Sequence, residues 1–239
     1  MRGASIVGIG MTAFGRHLDR THSDLARVAV GDALADAGAT AGDLGMAIYA
    51  NVVQGFVAGE MSIPGEYALR PLGIQGVRVM HVEAACASST IRVHVAVDYV
   101  RAGLADIVLV VGVEKLYSED RAKRFAVFQQ PLDALVAQRY LDCTKGRLAP
   151  VPEGLDGPGP NIMMDAYAAQ ARLHMAIYGT TPRQIAAVAA KNHEHSRHNP
   201  RSQYRNAMSI DEVLVAPNVS WPLTVPMCAP ISDGASAAV

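Results

Sequence analysis

The chain has 239 residues, half of them hydrophobic, with 21 Lys and Arg against 22 Asp and Glu for a formal net charge of -1. That balance argues against a nucleic-acid-binding face, and the apolar content excludes disorder as a global state. No apolar run approaches the roughly 18 uncharged residues of a membrane span, and residues 1–10 lack the basic start and apolar stretch of a signal peptide, so no membrane association and a cytoplasmic location are expected.

Residues 5–10 form a short apolar run closed by glycines, which reads as a buried strand ending in a tight turn. The next span, 23–37, reads as an amphipathic helix: Ser23 is a good N-cap, Asp24 suits the positive dipole end, and Leu25, Val28, Ala29, Ala33 and Leu34 repeat at helical spacing until Gly38. A strand over 47–53, a helix over 64–72 and a strand over 77–82 follow. From 86 to 102 the apolar residues sit at too many angles for a surface helix, leaving His94, Asp98 and Arg101 as one narrow polar stripe, so this helix is expected to be buried on most sides. Residues 105–112 then read as a near-continuous apolar strand of the parallel, doubly covered kind. The alternation over 5–112 is that of an α/β sheet.

The texture changes after Glu114. Residues 115–160 carry charges, Pro and Gly without a clean period, and 153–160 must be a loop. Helices are predicted over 163–178 and from Pro182 to about 195, the second N-capped by Thr181. Pro217, Pro222, Pro226 and Pro230 argue against regular structure, and a last strand begins at Ala235. A strand so close to the last residue is expected to leave an unpaired edge.

Gly8-Ile9-Gly10-Met11-Thr12-Ala13 has the spacing GxGxxA, but the helix begins too late and no acid ends the second strand, so it reads as a strand-end turn and no dinucleotide cofactor is expected. His193, His195 and His198 do not have HExxH spacing; they read as a solvated or substrate-facing helix end, and no metal is expected. Arg92 lies opposite the polar stripe, among Val95, Ala96 and Tyr99. It either snorkels or pairs within the subunit, or makes an ion pair across a dimer interface. Cys86, Cys143 and Cys228 form no CxxC pair and read as free thiols.

The strongest local signal is Val82-Glu83-Ala84-Ala85-Cys86-Ala87-Ser88-Ser89, which puts a thiol between a strand and a helix. At a helix start the free N–H groups and the positive dipole end favour an anion on sulfur, and the small neighbours leave room for a carbonyl to approach. The residues alone leave two readings open, a nucleophile or an inert buried thiol.

These segments resemble the thiolase superfamily, most closely the lipid-transfer or sterol-carrier-protein-X type. The match runs through residues 6–12, 82–88 with the strand 106–114, Asn192-His193 with Asn199-Pro200, and Cys228-Ala229-Pro230-Ile231-Ser232-Asp233-Gly234-Ala235. The resemblance implies an α/β thiolase-like N-terminal half over 1–114, an inserted loop domain that covers CoA over 115–230, and a return strand over 231–239. It assigns Cys86 as the catalytic nucleophile of an acyl-CoA C-acyltransferase acting in lipid metabolism, with coenzyme A as substrate rather than cofactor. Acyl-CoA is the expected ligand, and His193, His198 and Ala229 are the candidates for contact with it. A homodimer or higher oligomer is implied.

Two other readings share the scaffold: a steroid or acyl-CoA side-chain aldolase beside a small OB-fold partner, and a non-catalytic acyl-CoA-binding subunit. Three departures from the family pattern stand out. Ser89 replaces a usual glycine, Ala229 stands where serine is common, and the second β-α half, which supplies the family's catalytic histidine and its acid/base group, has no counterpart in these 239 residues.

Overall fold

The computed structural model describes residues 3–128, 131–155 and 162–239; the expected loop over 153–160 falls outside the described residues from 156 onward. In chain order the elements are β1 (Ile9–Met11), α1 (His22–Ala37), β2 (Met46–Ala50), α2 (Gln54–Ala58), α3 (Pro64–Leu69), β3 (Arg78–Val82), α4 (Ser88–Arg101) and β4 (Val108–Lys115). They continue as α5 (Arg121–Ala126), α6 (Pro131–Thr144), α7 (Ile162–Tyr178), α8 (Pro182–Ser196), α9 (Ile210–Val215), β5 (Asn218–Ser220), β6 (Leu223–Thr224) and β7 (Asp233–Ala238). The chain divides into two compact units, Met1–Glu119 with Ile231–Val239, and Asp120–Pro230.

The first unit is a mixed sheet in the order β1-β7-β4-β2-β3 among the described residues. β2 is parallel to β3 and β4, while β7 runs antiparallel to β1 and β4. Alternation along β2 and β4 explains how both faces are covered. Ala47, Tyr49, Leu109, Val111 and Val113 join the core with α1 and α3, whereas Met46, Ile48, Val108 and Val110 pack beneath Val95, Ala96, Tyr99 and Val100 of α4. The expected doubly covered strand is therefore β4, and the fold class is α/β.

Four expectations need correction here. Thr21, not Ser23, caps α1: its hydroxyl accepts the Asp24 N–H, and the Asp24 carboxylate accepts the Thr21 N–H, a reciprocal box that Ser23 cannot form with that acid. The first strand is an edge rather than buried, with Ile6, Val7 and Ile9 more than half exposed. Its inner positions are Gly8 and Gly10 because α1 lies against them; a Cβ on Gly10 would sit 2.0 Å from the Ala29 carbonyl oxygen. That close approach accounts for the two glycines without any phosphate. The last strand has no free edge, since β7 is paired on both sides. Finally, α4 is covered on the sheet side only: Ile91 and Val93 are exposed, and only Ser88 and Arg92 of the helix are buried.

In the second unit α8 begins as expected, with Thr181 and Gln184 forming a capping box and Pro182 in the first turn. Its Ala186, Ala189 and Ala190 pack on Val213 of α9. Two expectations give way. The aperiodic stretch after 115 contains α5 and α6, and the proline-rich stretch contains the β5–β6 hairpin, because Pro222 falls in the turn between the strands rather than within either. Among the described residues no helix is long and apolar enough to cross a membrane.

Candidate active site

The parallel register sets Ala50 and Val82, the last residues of β2 and β3, abreast of Gly112 in the carboxyl-terminal half of β4. In open α/β sheets this edge is where ligands bind. Cys86 leaves the same edge: β3 ends at Val82, a 3₁₀ turn spans Ala85–Ala87, and α4 starts at Ser88. The helix therefore begins two residues later than its sequence suggests, and Cys86 occupies the turn before it. Cys86 is exposed in this chain.

The turn is held from both sides. Ala85 has a left-handed backbone, φ 48°, which is strained for a residue with a Cβ. Its N–H donates to Glu83 Oε1 at 2.5 Å. Ser88, 5% exposed, accepts the Ala84 N–H at 2.8 Å through Oγ and donates the same hydroxyl to the Ala85 carbonyl at 2.7 Å. Backbone bonds from Ala87 to Ala84 and from Ser88 to Ala85 complete it. None of these bonds uses the N–H of Cys86.

Behind this edge lies a polar cluster that the sequence did not reveal. Asn51, buried after β2, donates through Nδ2 to the Val113 carbonyl at 2.5 Å and to Glu114 Oε1 at 2.8 Å, and Glu114 Oε2 accepts the Val52 N–H at 3.0 Å. Burial raises the Glu114 carboxyl above the usual range, and these hydrogen bonds pull it back only in part. Asn51 Oδ1 accepts the Gln54 N–H at 2.6 Å, and Tyr49, wholly buried, donates its hydroxyl to Gln54 Oε1 at 2.5 Å. Gln54 in turn donates to Glu60. His81 of β3 lies with Nε2 3.3 Å from the Asn51 carbonyl. The only signal for this cluster was an amide after one apolar strand and an acid near the end of another, 63 residues apart.

Arg92 has polar partners within the chain. It is 5% exposed and donates to the Ser236 carbonyl at 3.3 Å and to Ser236 Oγ at 3.1 Å. Its Nε has no partner among the described residues, and burial lowers the guanidinium to about 10.

His193, His198 and Ala229 belong to the second unit. His193 stacks on Tyr204 with ring centroids 6.3 Å apart, and its Nε2 lies 3.4 Å from the Pro226 carbonyl. His198 lies 3.7 Å from Glu194, and Ala229 is exposed. A cavity of about 250 Å³ in that unit is walled by Leu141, Val151, Ala168 and Trp221, with Asp165 and Arg172 as its charged groups. None of the three candidates lines it. Among the described residues no group of three or more His, Cys, Asp or Glu is arranged to hold a metal ion.

The family model of the thiolase N-terminal domain matches residues 4–211. Sterol carrier protein 2 from Gallus gallus is 33% identical over 98% of this chain and 40% of its own length. An acetyl-CoA acetyltransferase from Methanothermobacter thermautotrophicus is 30% identical over 100% of this chain and 57% of its own. The chain thus spans about half the length, or less, of these curated relatives. Among solved structures, an Ltp2-ChsH2(DUF35) aldolase aligns with a TM-score of 0.70 at 21% identity, covering 99% of this chain and 55% of that one. A monomeric SCP2-thiolase like protein type 1 from Mycobacterium smegmatis aligns with a TM-score of 0.64 at 20% identity, covering 98% and 44%. At those identities the two structures speak to the fold alone.

Proposed function

Because the chain belongs to the thiolase family, we propose that it carries the nucleophile-bearing part of an acyl-CoA C-acyltransferase, with Cys86 as acyl carrier and coenzyme A as substrate. The observation that carries this reading is an exposed thiol in a braced turn at the carboxyl edge of three parallel strands, just ahead of the amino end of α4.

The thiolate of Cys86 attacks the thioester carbonyl carbon, the pair of electrons moves onto oxygen, and collapse of the tetrahedral intermediate expels CoA as its thiolate, leaving an acyl-cysteine. The N–H of Cys86, unpaired among the described residues, suits one donor to the oxyanion. A second CoA thiolate, or a carbanion from a second acyl-CoA, then takes the acyl group and returns the thiolate. The thiol proton needs a base, which the family resemblance assigns to the second β-α half. Catalytic turnover, the acyl chain, a homodimer and a small partner subunit all belong to the proposal; the partner is suggested by the aldolase complex with its DUF35 protein.

Incubation with acetyl-CoA followed by peptide mass spectrometry tests it. The expected result is a 1:1 acetyl adduct on Cys86 that is absent from Cys86→Ala. Turnover of a β-hydroxyacyl-CoA with no adduct on Cys86 points to the aldolase chemistry instead, and neither adduct nor turnover points to a binding subunit.

A further inference from the structure

The turn around Cys86 has a built-in brace, and we infer that Ser88 is a positioning residue for the nucleophile, an inference that rests on Cys86 being the acyl carrier. One hydroxyl performs two tasks there. It accepts from the Ala84 N–H at 2.8 Å and donates to the Ala85 carbonyl at 2.7 Å, so it ties the Glu83–Ala84 peptide to the Ala85–Cys86 peptide.

The brace acts where the backbone most needs it. Ala85 is held at φ 48°, a conformation an alanine leaves when nothing opposes it, because its Cβ crowds the adjoining carbonyl. Relaxation at Ala85 rotates the next residue, and the next residue is Cys86. Glu83 holds the peptide between those two, Ala84–Ala85, by accepting the Ala85 N–H at 2.5 Å. Ser88 is buried, so water cannot readily replace its hydroxyl, whereas Glu83 is exposed and its bond competes with solvent. Ser88 is also the first residue of α4, so the brace ties the turn to a 14-residue helix rather than to another loop. Attack on a thioester needs sulfur, carbonyl carbon and oxyanion donor in line, and a displacement of about 1 Å costs on the order of 10²-fold in rate. Alkylation by a small reagent needs only an accessible thiolate.

That difference in geometric demand supplies the experiment. Acetylation of Cys86 by acetyl-CoA and its alkylation by iodoacetamide are measured on the full chain, together with the melting temperature, for wild type, Ser88→Ala, Ser88→Thr and Glu83→Ala. Ser88→Ala should slow acetylation at least about 10-fold while alkylation changes less than about twofold. Ser88→Thr, which keeps the hydroxyl, should recover most of the acetylation rate. Glu83→Ala, at an exposed position, tests the same turn should Ser88→Ala not fold, and should slow acetylation more than alkylation. Equal changes in the two reactions across the variants, or acetylation unaffected by both, overturns the positioning role while the Cys86 adduct in wild type still stands. No adduct in wild type overturns both readings.

Discussion

The carboxylate of Asp233 accepts the backbone N–H of Tyr117 at 2.8 Å, so the end of β4 and the start of β7 share one buried acceptor. The same group accepts from Leu116 at 2.9 Å and from His17 at 3.0 Å, and Lys115 lies 3.4 Å away as its counter-charge. Asp233 is wholly buried. Three peptide N–H groups from two distant loops thus depend on one side chain. Asp233→Ala leaves all three and an ammonium without it. At about 1–3 kcal/mol for each buried group left unpaired, the loss should reach at least about 3 kcal/mol. Urea unfolding measures it, and a loss below about 1 kcal/mol contradicts the account.

His22 opens α1; the residue is 3% exposed and its Nε2 has no hydrogen-bond partner among the described residues. Burial is the main reason its pKa falls from 6.5 to about 4, with Lys115 pushing the same way and Glu60 and Asp233 opposing. The folded state therefore takes up this proton less readily than the unfolded chain. Stability from His22 is complete above pH 6.5 and declines as the pH falls toward 4, by about 2 kcal/mol at pH 5. Unfolding free energies at pH 7 and pH 5 should differ by that much more in wild type than in His22→Phe. An identical pH dependence in the two proteins contradicts the assignment.

Much of the fold was written in local pattern. β4 shows as an unbroken apolar run because both its faces are covered, and α8 shows because Thr181, Pro182 and Gln184 are neighbours that act on each other. The start of α1 was misplaced because two good capping residues stand two apart, and only the spacing of Asp24 from Thr21 decides between them. In the site, Cys86 was legible from its own surroundings. Asn51 and Glu114 were not, because their meeting is set by the register of β2 on β4, which no short segment encodes. Ser88 was legible only as a small neighbour; its two hydrogen bonds depend on the left-handed backbone at Ala85.

Arg92 and Gly112 form a second pair with a measurable coupling. A Cβ on Gly112 would stand 2.5 Å from Arg92 Nη1 and 2.9 Å from its Cζ, so the glycine makes room for the guanidinium. Among the described residues that cation bonds serine oxygens and no carboxylate, and a buried charge without a counter-ion is costly. Arg92→Met should therefore leave stability within about 1 kcal/mol of wild type, or raise it. Gly112→Ala should cost about 1–3 kcal/mol, and the cost should shrink when Arg92→Met is also present. Additive effects in the double variant contradict the steric argument.

The three thiols make the last comparison, because each sits at a different place relative to its helix and to solvent. Cys86 is exposed just ahead of the amino end of α4. Cys143 is also exposed, but it is the penultimate residue of α6, at the opposite end of its helix. Cys228 is half-buried, its thiol lies 3.5 Å from the Thr224 carbonyl, and burial raises its pKa. A short pulse of iodoacetamide at pH 7 should label Cys86 first, Cys143 several-fold more slowly, and Cys228 last. Accessibility alone predicts equal rates for the two exposed thiols, so the ratio between Cys86 and Cys143 isolates the contribution of helix ends. Raising the salt concentration should narrow that ratio, since both sites are solvent-facing and their fields are screened. Equal labelling of Cys86 and Cys143 at low salt shows that the position ahead of α4 does not activate the thiol.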